Sequence, residues 1–92
     1  MPSRELVYEA LDAERDYQEQ RWNYSTTSTG GKHSVTEFVL YMDTYIQDIK
    51  QDLSKNADPE ASRLALDKLR KVTAMGIACM EQNGIVKREW QS

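Results

Sequence analysis

Ser34-Val35-Thr36-Glu37-Phe38-Val39-Leu40-Tyr41-Met42, continued by Tyr45, Ile46, Ile49 and Leu53, is the stretch that decides the fold class. Ser34 and Glu37 stand at the spacing of a capping box, in which hydroxyl and carboxylate each satisfy a backbone N–H that the first helical turn leaves unpaired. Val35, Phe38, Val39, Met42, Tyr45, Ile46, Ile49 and Leu53 then share one narrow arc of a helical wheel, the pattern of a helix with a single buried face. This reading predicts a helix over about 34–55, ending near Lys55 and Asn56.

The next helix is announced by Asp58-Pro59-Glu60. Asp58 can cap, Pro59 has the backbone angle of a first turn, and Glu60 complements the helix dipole. Asn83-Gly84 supplies the stop, so the span is about 59–83. A short connection at Ala57 makes the two an antiparallel hairpin, each helix about 30 Å long. Upstream, Ser3 caps a helix over about 4–22, whose apolar stripe of Leu6, Val7, Ala10 and Leu11 continues as Glu14, Tyr17, Gln18 and Arg21. Half of that buried-side stripe is polar, and buried polar groups need partners. The expectation is an all-α single domain, 1–92, of three main helices, with a loop at 23–33 and a tail at 84–92.

On the third helix Ala61, Ala65, Leu69, Val72, Gly76 and Cys79 line one side and are mostly small, and Val72 to Met80 carries no charge on any side. A helix apolar all round must be covered all round. Association with copies of the same chain is therefore expected to complete the fold; the alternative cover is the first helix together with the tail, including Ile85 and Trp90.

Composition narrows the function classes. With 92 residues the chain is near the lower end of what supports independent folding. No apolar run approaches the roughly 20 residues of a membrane span, and the charged Arg4-Glu5 opening is unlike a signal peptide, so a cytoplasmic protein is expected. Cys79, the one cysteine, gives neither an internal disulfide nor a zinc site. A net charge of −3 argues against a nucleic-acid polymer as partner, so an anionic ligand must be held by a local cluster.

The loop Asn23 to His33, NYSTTSTGGKH, is eleven residues long and delivers Lys32 and His33 to the start of the second helix at Ser34. Free backbone N–H groups, the helix dipole and the Lys32 charge converge there, which favours phosphate, although the pattern is not a Walker A loop. A solvated, capped loop is the plainer reading. Tyr17, Arg21, Trp22 and Tyr24 offer rings beside a guanidinium, as a nucleobase pocket requires, or else form a polar network between helices. Lys68 and Lys71 could add charge for a phosphate, or lie along the helix surface with no ligand. His33 has no nucleophile at a recognisable spacing, so no catalytic set, metal or cofactor is expected.

Three segments carry a resemblance that spans most of the chain: Glu14-Arg15-Asp16-Tyr17-Gln18 with Arg21-Trp22, His33-Ser34-Val35-Thr36-Glu37-Phe38 with Tyr41-Met42, and Leu69-Arg70-Lys71-Val72 with Cys79-Met80-Glu81-Gln82-Asn83-Gly84. Together they resemble small proteins of tailed bacteriophages, some described as MazG-like nucleotide pyrophosphohydrolases. The resemblance implies a helical fold, a host-cytoplasmic setting and, in the enzymatic members, magnesium held by an E-x-x-E and E-x-x-D pair. Neither Glu9, Asp12 and Asp16 nor Asp48 and Asp52 forms that pair. In general type the chain is also similar to the oligomeric phage sponges that sequester host immune signalling nucleotides.

Three functions are therefore weighed: a homo-oligomeric binder of a phosphorylated, nucleotide-like small molecule, a magnesium-dependent pyrophosphohydrolase, and a protein–protein adaptor.

Overall fold

The computed structural model describes residues 1–55 and 59–89, and contains three helices, α1 (Arg4–Arg21), α2 (Val35–Lys55) and α3 (Pro59–Asn83). Among the described residues there is no strand. Asn56, the connection at Ala57, the cap at Asp58 and Trp90 of the tail lie outside them. No helix among them is long and apolar enough to cross a membrane.

The helix ends form where the local chemistry puts them. Ser3 accepts a hydrogen bond from the Leu6 N–H at 3.2 Å, starting α1. Ser34 and Glu37 exchange the reciprocal bonds of a capping box: the Ser34 N–H donates to Glu37 at 3.0 Å, and the Glu37 N–H donates to the Ser34 hydroxyl at 3.2 Å. Gly84, at φ +112, turns the chain out of α3 while its N–H bonds the Met80 carbonyl at 2.8 Å.

Hydrogen bonds from Ser34 are the main cause that holds the Glu37 carboxyl below its ordinary range. A carboxylate with a lowered folded-state pKa stabilises above its unfolded pKa, and the benefit is lost as pH falls through the folded value. Glu37→Gln is therefore expected to flatten the acid limb of a thermal-melting profile below about pH 4.5, the ordinary value, while Ser34→Ala lowers stability by about 1 kcal/mol near neutrality. An unchanged acid limb in the Gln variant would refute this role for the box.

Helix α3 is the shared support. It packs most extensively with α2 and next with α1, and among the described residues the backbones of α1 and α2 do not approach each other closely. The His33 N–H bonds Gln82 at the end of α3, and Asp52 late in α2 pairs with Lys68 early in α3, so these two helices run antiparallel. The seam between them places Phe38, near the start of α2, beside Met75, with Val72 and, toward the other end of α3, Ala65 and Ala61 also buried. Gly76 faces α2 in this seam, where a Cβ would stand at an ordinary contact distance of 3.5 Å from the Met42 methyl.

Helix α1 is fastened largely by polar bonds. Glu14 accepts from Arg70 at 2.9 Å, Arg15 donates to Glu81 at 2.6 Å, and the Gln18 amide, 3% exposed, donates to the Lys71 carbonyl at 3.1 Å. Burial opposes the charge on Arg15, but its bonds to Glu19 and Glu81 outweigh that and raise its pKa. The polar half of the α1 stripe thus divides: Glu14 and Gln18 turn inward, while Tyr17 and Arg21 are exposed.

The uncharged run Val72 to Met80 is covered mostly within the chain. Val72, Ala74, Met75 and Ala78 are buried, and only Thr73 and Met80 are exposed. That run does not itself need a second copy, because α1 and α2 flank it. Nor does the described tail cover it, since Ile85 and Val86 face solvent.

Candidate functional site

The loop between α1 and α2 is a folded object. The Asn23 side chain accepts from the Ser25 N–H at 2.8 Å, and the Asn23 carbonyl takes the N–H groups of Thr26 and Thr27. The Thr26 hydroxyl bonds the Arg21 carbonyl, and the Thr27 hydroxyl accepts from the Gly31 N–H at 2.8 Å. Gly30 and Gly31 both adopt left-handed backbone, at φ +66 and +77. Position 31 permits nothing larger, because a Cβ would lie 2.4 Å from the Trp22 carbonyl oxygen.

Gln82 clamps this loop to the end of α3. Its amide donates to the Gly31 carbonyl and accepts from the His33 N–H, each at 2.9 Å, and the neighbouring Asn83 donates to the His33 carbonyl at 3.1 Å. The sequence analysis assigned neither residue to the loop or the site. A glutamine some 50 positions from its partners leaves no periodic or spacing signal.

These bonds set the edge of an apolar hollow of about 260 Å³, lined by Trp22, Thr27, His33, Phe38, Tyr41, Thr44, Tyr45 and Met75. His33 stands edge-on to Phe38 at 5.5 Å and to Tyr41 at 5.1 Å between ring centroids. Its Nδ1 is buried without a hydrogen bond, with Glu37 Oε2 3.5 Å away. A second hollow of about 620 Å³, formed by Tyr17, Gln20, Arg21, Trp22, Thr26 and Thr27, adjoins the first across their shared residues, Trp22 and Thr27. No ion pair engages Arg21 among the described residues.

Of the residues singled out in the sequence, the fold therefore gathers Tyr17, Arg21, Trp22 and His33 into two adjoining hollows. The others go elsewhere. Tyr24, 78% exposed, lays its ring over Gly30 instead of the hollow. Lys32 lines a separate polar hollow with Arg15, Asp16, Glu19, Glu81 and Gln82, where carboxylates outnumber cations. Ser34 is spent on the cap, and with the His33, Ser34 and Glu37 N–H groups already bonded, the anion cradle expected at the start of α2 holds the Glu37 carboxylate and the Gln82 amide.

Lys68 pairs with Asp52 at 2.7 Å, a hydrogen bond that raises the lysine pKa. Asp52 sits about 20 Å along α2 from Phe38, so Lys68 cannot serve the same ligand. Lys71 turns to Asp67 at 3.4 Å, beside a fourth hollow that it shares with Tyr17, Glu14 and Arg70.

Among the described residues, no three of His, Cys, Asp and Glu come together as a metal-binding group. Comparison of the chain with protein-family models, with curated proteins and with solved structures gives no match.

Proposed function

We propose that the chain binds a small nucleotide-like molecule, with its flat ring system in the Trp22–His33–Tyr41–Tyr45 hollow and its anionic part alongside Arg21, and that it holds this ligand without converting it. The observation that carries the reading is the adjoining pair of hollows, one aromatic with His33 in its wall, the other open and flanked by the Arg21 guanidinium, which no ion pair engages among the described residues. At about 260 Å³ the inner hollow is below the roughly 300–1,000 Å³ of drug-sized sites, which suits one ring system and leaves the rest of a ligand outside. Aromatic edges and faces supply stacking, and Arg21 a charge-assisted bond.

Phosphate at the start of α2 is not part of this proposal, because a ligand there would have to displace Glu37. The pyrophosphohydrolase alternative lacks a carboxylate group to hold magnesium among the described residues. Binding without turnover would fit a protein that sequesters a signalling nucleotide.

The test is calorimetric titration against cyclic and linear nucleotides, followed by recovery of the ligand from denatured protein. Expected are stoichiometric binding, intact ligand, and affinity lowered about 10-fold or more in Trp22→Ala. Absence of binding across the panel, or recovery of hydrolysed product, overturns it.

A further inference from the structure

The two adjoining hollows differ in charge from three others on the molecule. No Asp or Glu lines either of them. By contrast, Asp67 lines an apolar furrow between Leu6 of α1 and Leu66 of α3, Asp16, Glu19 and Glu81 line the hollow of Lys32, and Glu14 lines the one beside Lys71.

Cations are equally sparse in the pair. Arg21 is the one guanidinium or ammonium group that lines it. The cations around it are committed elsewhere. Arg15 pairs with Glu19 at 2.7 Å and Glu81 at 2.6 Å, Arg70 with Glu14 at 2.9 Å and Asp67 at 2.8 Å, and Lys71 with Asp67 at 3.4 Å. Lys32 lies among Asp16, Glu19 and Glu81.

We propose that the ligand carries a single phosphate group and not a di- or triphosphate chain, an inference that rests on the nucleotide-binding function proposed above. One planar guanidinium free of carboxylates matches one phosphate, which it can hold through two parallel hydrogen bonds. A second or third phosphate finds no such partner. Along α1 in one direction it meets Asp16, one turn before Gln20, and Glu19, whose neighbour Arg15 is already held. Beyond Tyr17 it meets Glu14 and Asp67, which already hold Arg70 and Lys71. Like charges at such separations repel. Turned outward to water, the added phosphates gain no contact at all, so in no direction does a longer chain add affinity.

The test is calorimetric titration of the full chain with the nucleoside, the 5′-monophosphate and the 5′-triphosphate of adenine, guanine, cytosine and uracil, with and without magnesium. For the base that binds best, the first phosphate should raise affinity about 10-fold or more, and the next two should raise it no further. Arg21→Gln alters an exposed side chain at the end of α1, so the fold should persist. This variant should bind nucleoside and monophosphate alike, with the nucleoside affinity of the unaltered protein. Lys32→Gln is the control, since that lysine lines a separate hollow, and it should keep the full advantage of the monophosphate. A triphosphate that binds more tightly than the monophosphate, with or without magnesium, or an Arg21→Gln variant that still prefers the monophosphate, overturns the single-phosphate proposal and leaves the binding function standing. Silence from all of these compounds overturns the proposal as well, and silence from cyclic nucleotides in addition overturns the binding function with it.

Discussion

Phe38→Ala is expected to lower the free energy of unfolding by about 3–5 kcal/mol, read as a fall in the urea midpoint at unchanged slope. Phe38 is 1% exposed and is the one large side chain that the described residues enclose completely. The other buried apolar side chains are four alanines, one valine and one methionine, so this ring is the largest single block of buried apolar surface. Small domains hold only about 5–15 kcal/mol in total, and this change removes a large part of it. The same ring is a wall of the inner hollow and an edge contact of His33, so ligand affinity should fall together with stability. A loss below about 1 kcal/mol would mean that the α2–α3 seam does not depend on this residue.

Gly31→Ala is expected to cost about 2–3 kcal/mol and to lower ligand affinity at least about 10-fold. Two penalties coincide at this position. The left-handed backbone disfavours any side chain, and the added methyl would press on the Trp22 carbonyl oxygen at 2.4 Å. That carbonyl belongs to the residue closing α1, whose own N–H is bonded to Gln18 at 2.8 Å, so it cannot yield without moving the helix end. Gly30→Ala is the informative comparison. Its methyl would meet only the Tyr24 ring, an exposed side chain free to swing, so it should cost about 1 kcal/mol and leave binding intact. Chemical denaturation and titration of both variants check the pair; equal effects would remove the special standing of residue 31.

Helix ends and the all-α class were readable in the sequence because each is written locally, in Ser3, Ser34 with Glu37, and Asn83-Gly84. The antiparallel α2–α3 hairpin was equally legible, since capping at one end and a stop at the other leave little alternative. What periodicity cannot say is which apolar stripe finds cover. It marked Val72 to Met80 as the run in need of a partner, yet the chain covers most of that run itself and leaves Leu6, Val7, Leu66 and Leu69 open.

The site was legible by half for a similar reason. Tyr17, Arg21, Trp22 and His33 lie close together because the end of α1 and the loop hold them there. Lys68 looked equally available, but its counter-charge Asp52 is on another helix, where sequence spacing does not reach. Of the wall residues, Tyr45 was read only as part of the apolar face of α2, and Tyr41, Thr44 and the clamp Gln82 were given no site role, since their roles arise from what packs against them.

Helix α1 borders an apolar furrow through Leu6 and Val7, and the outer hollow through Tyr17 and Arg21, while its backbone packs on α3 and not on α2. A rigid rod with one support tilts as a unit, so the two ends of this helix are levers of a single beam. If a partner seated in that furrow fixes the beam's near end, the far end loses freedom that a small molecule would otherwise have to remove. By reciprocity the molecule then tightens the partner's hold by the same factor with which the partner tightens the molecule's.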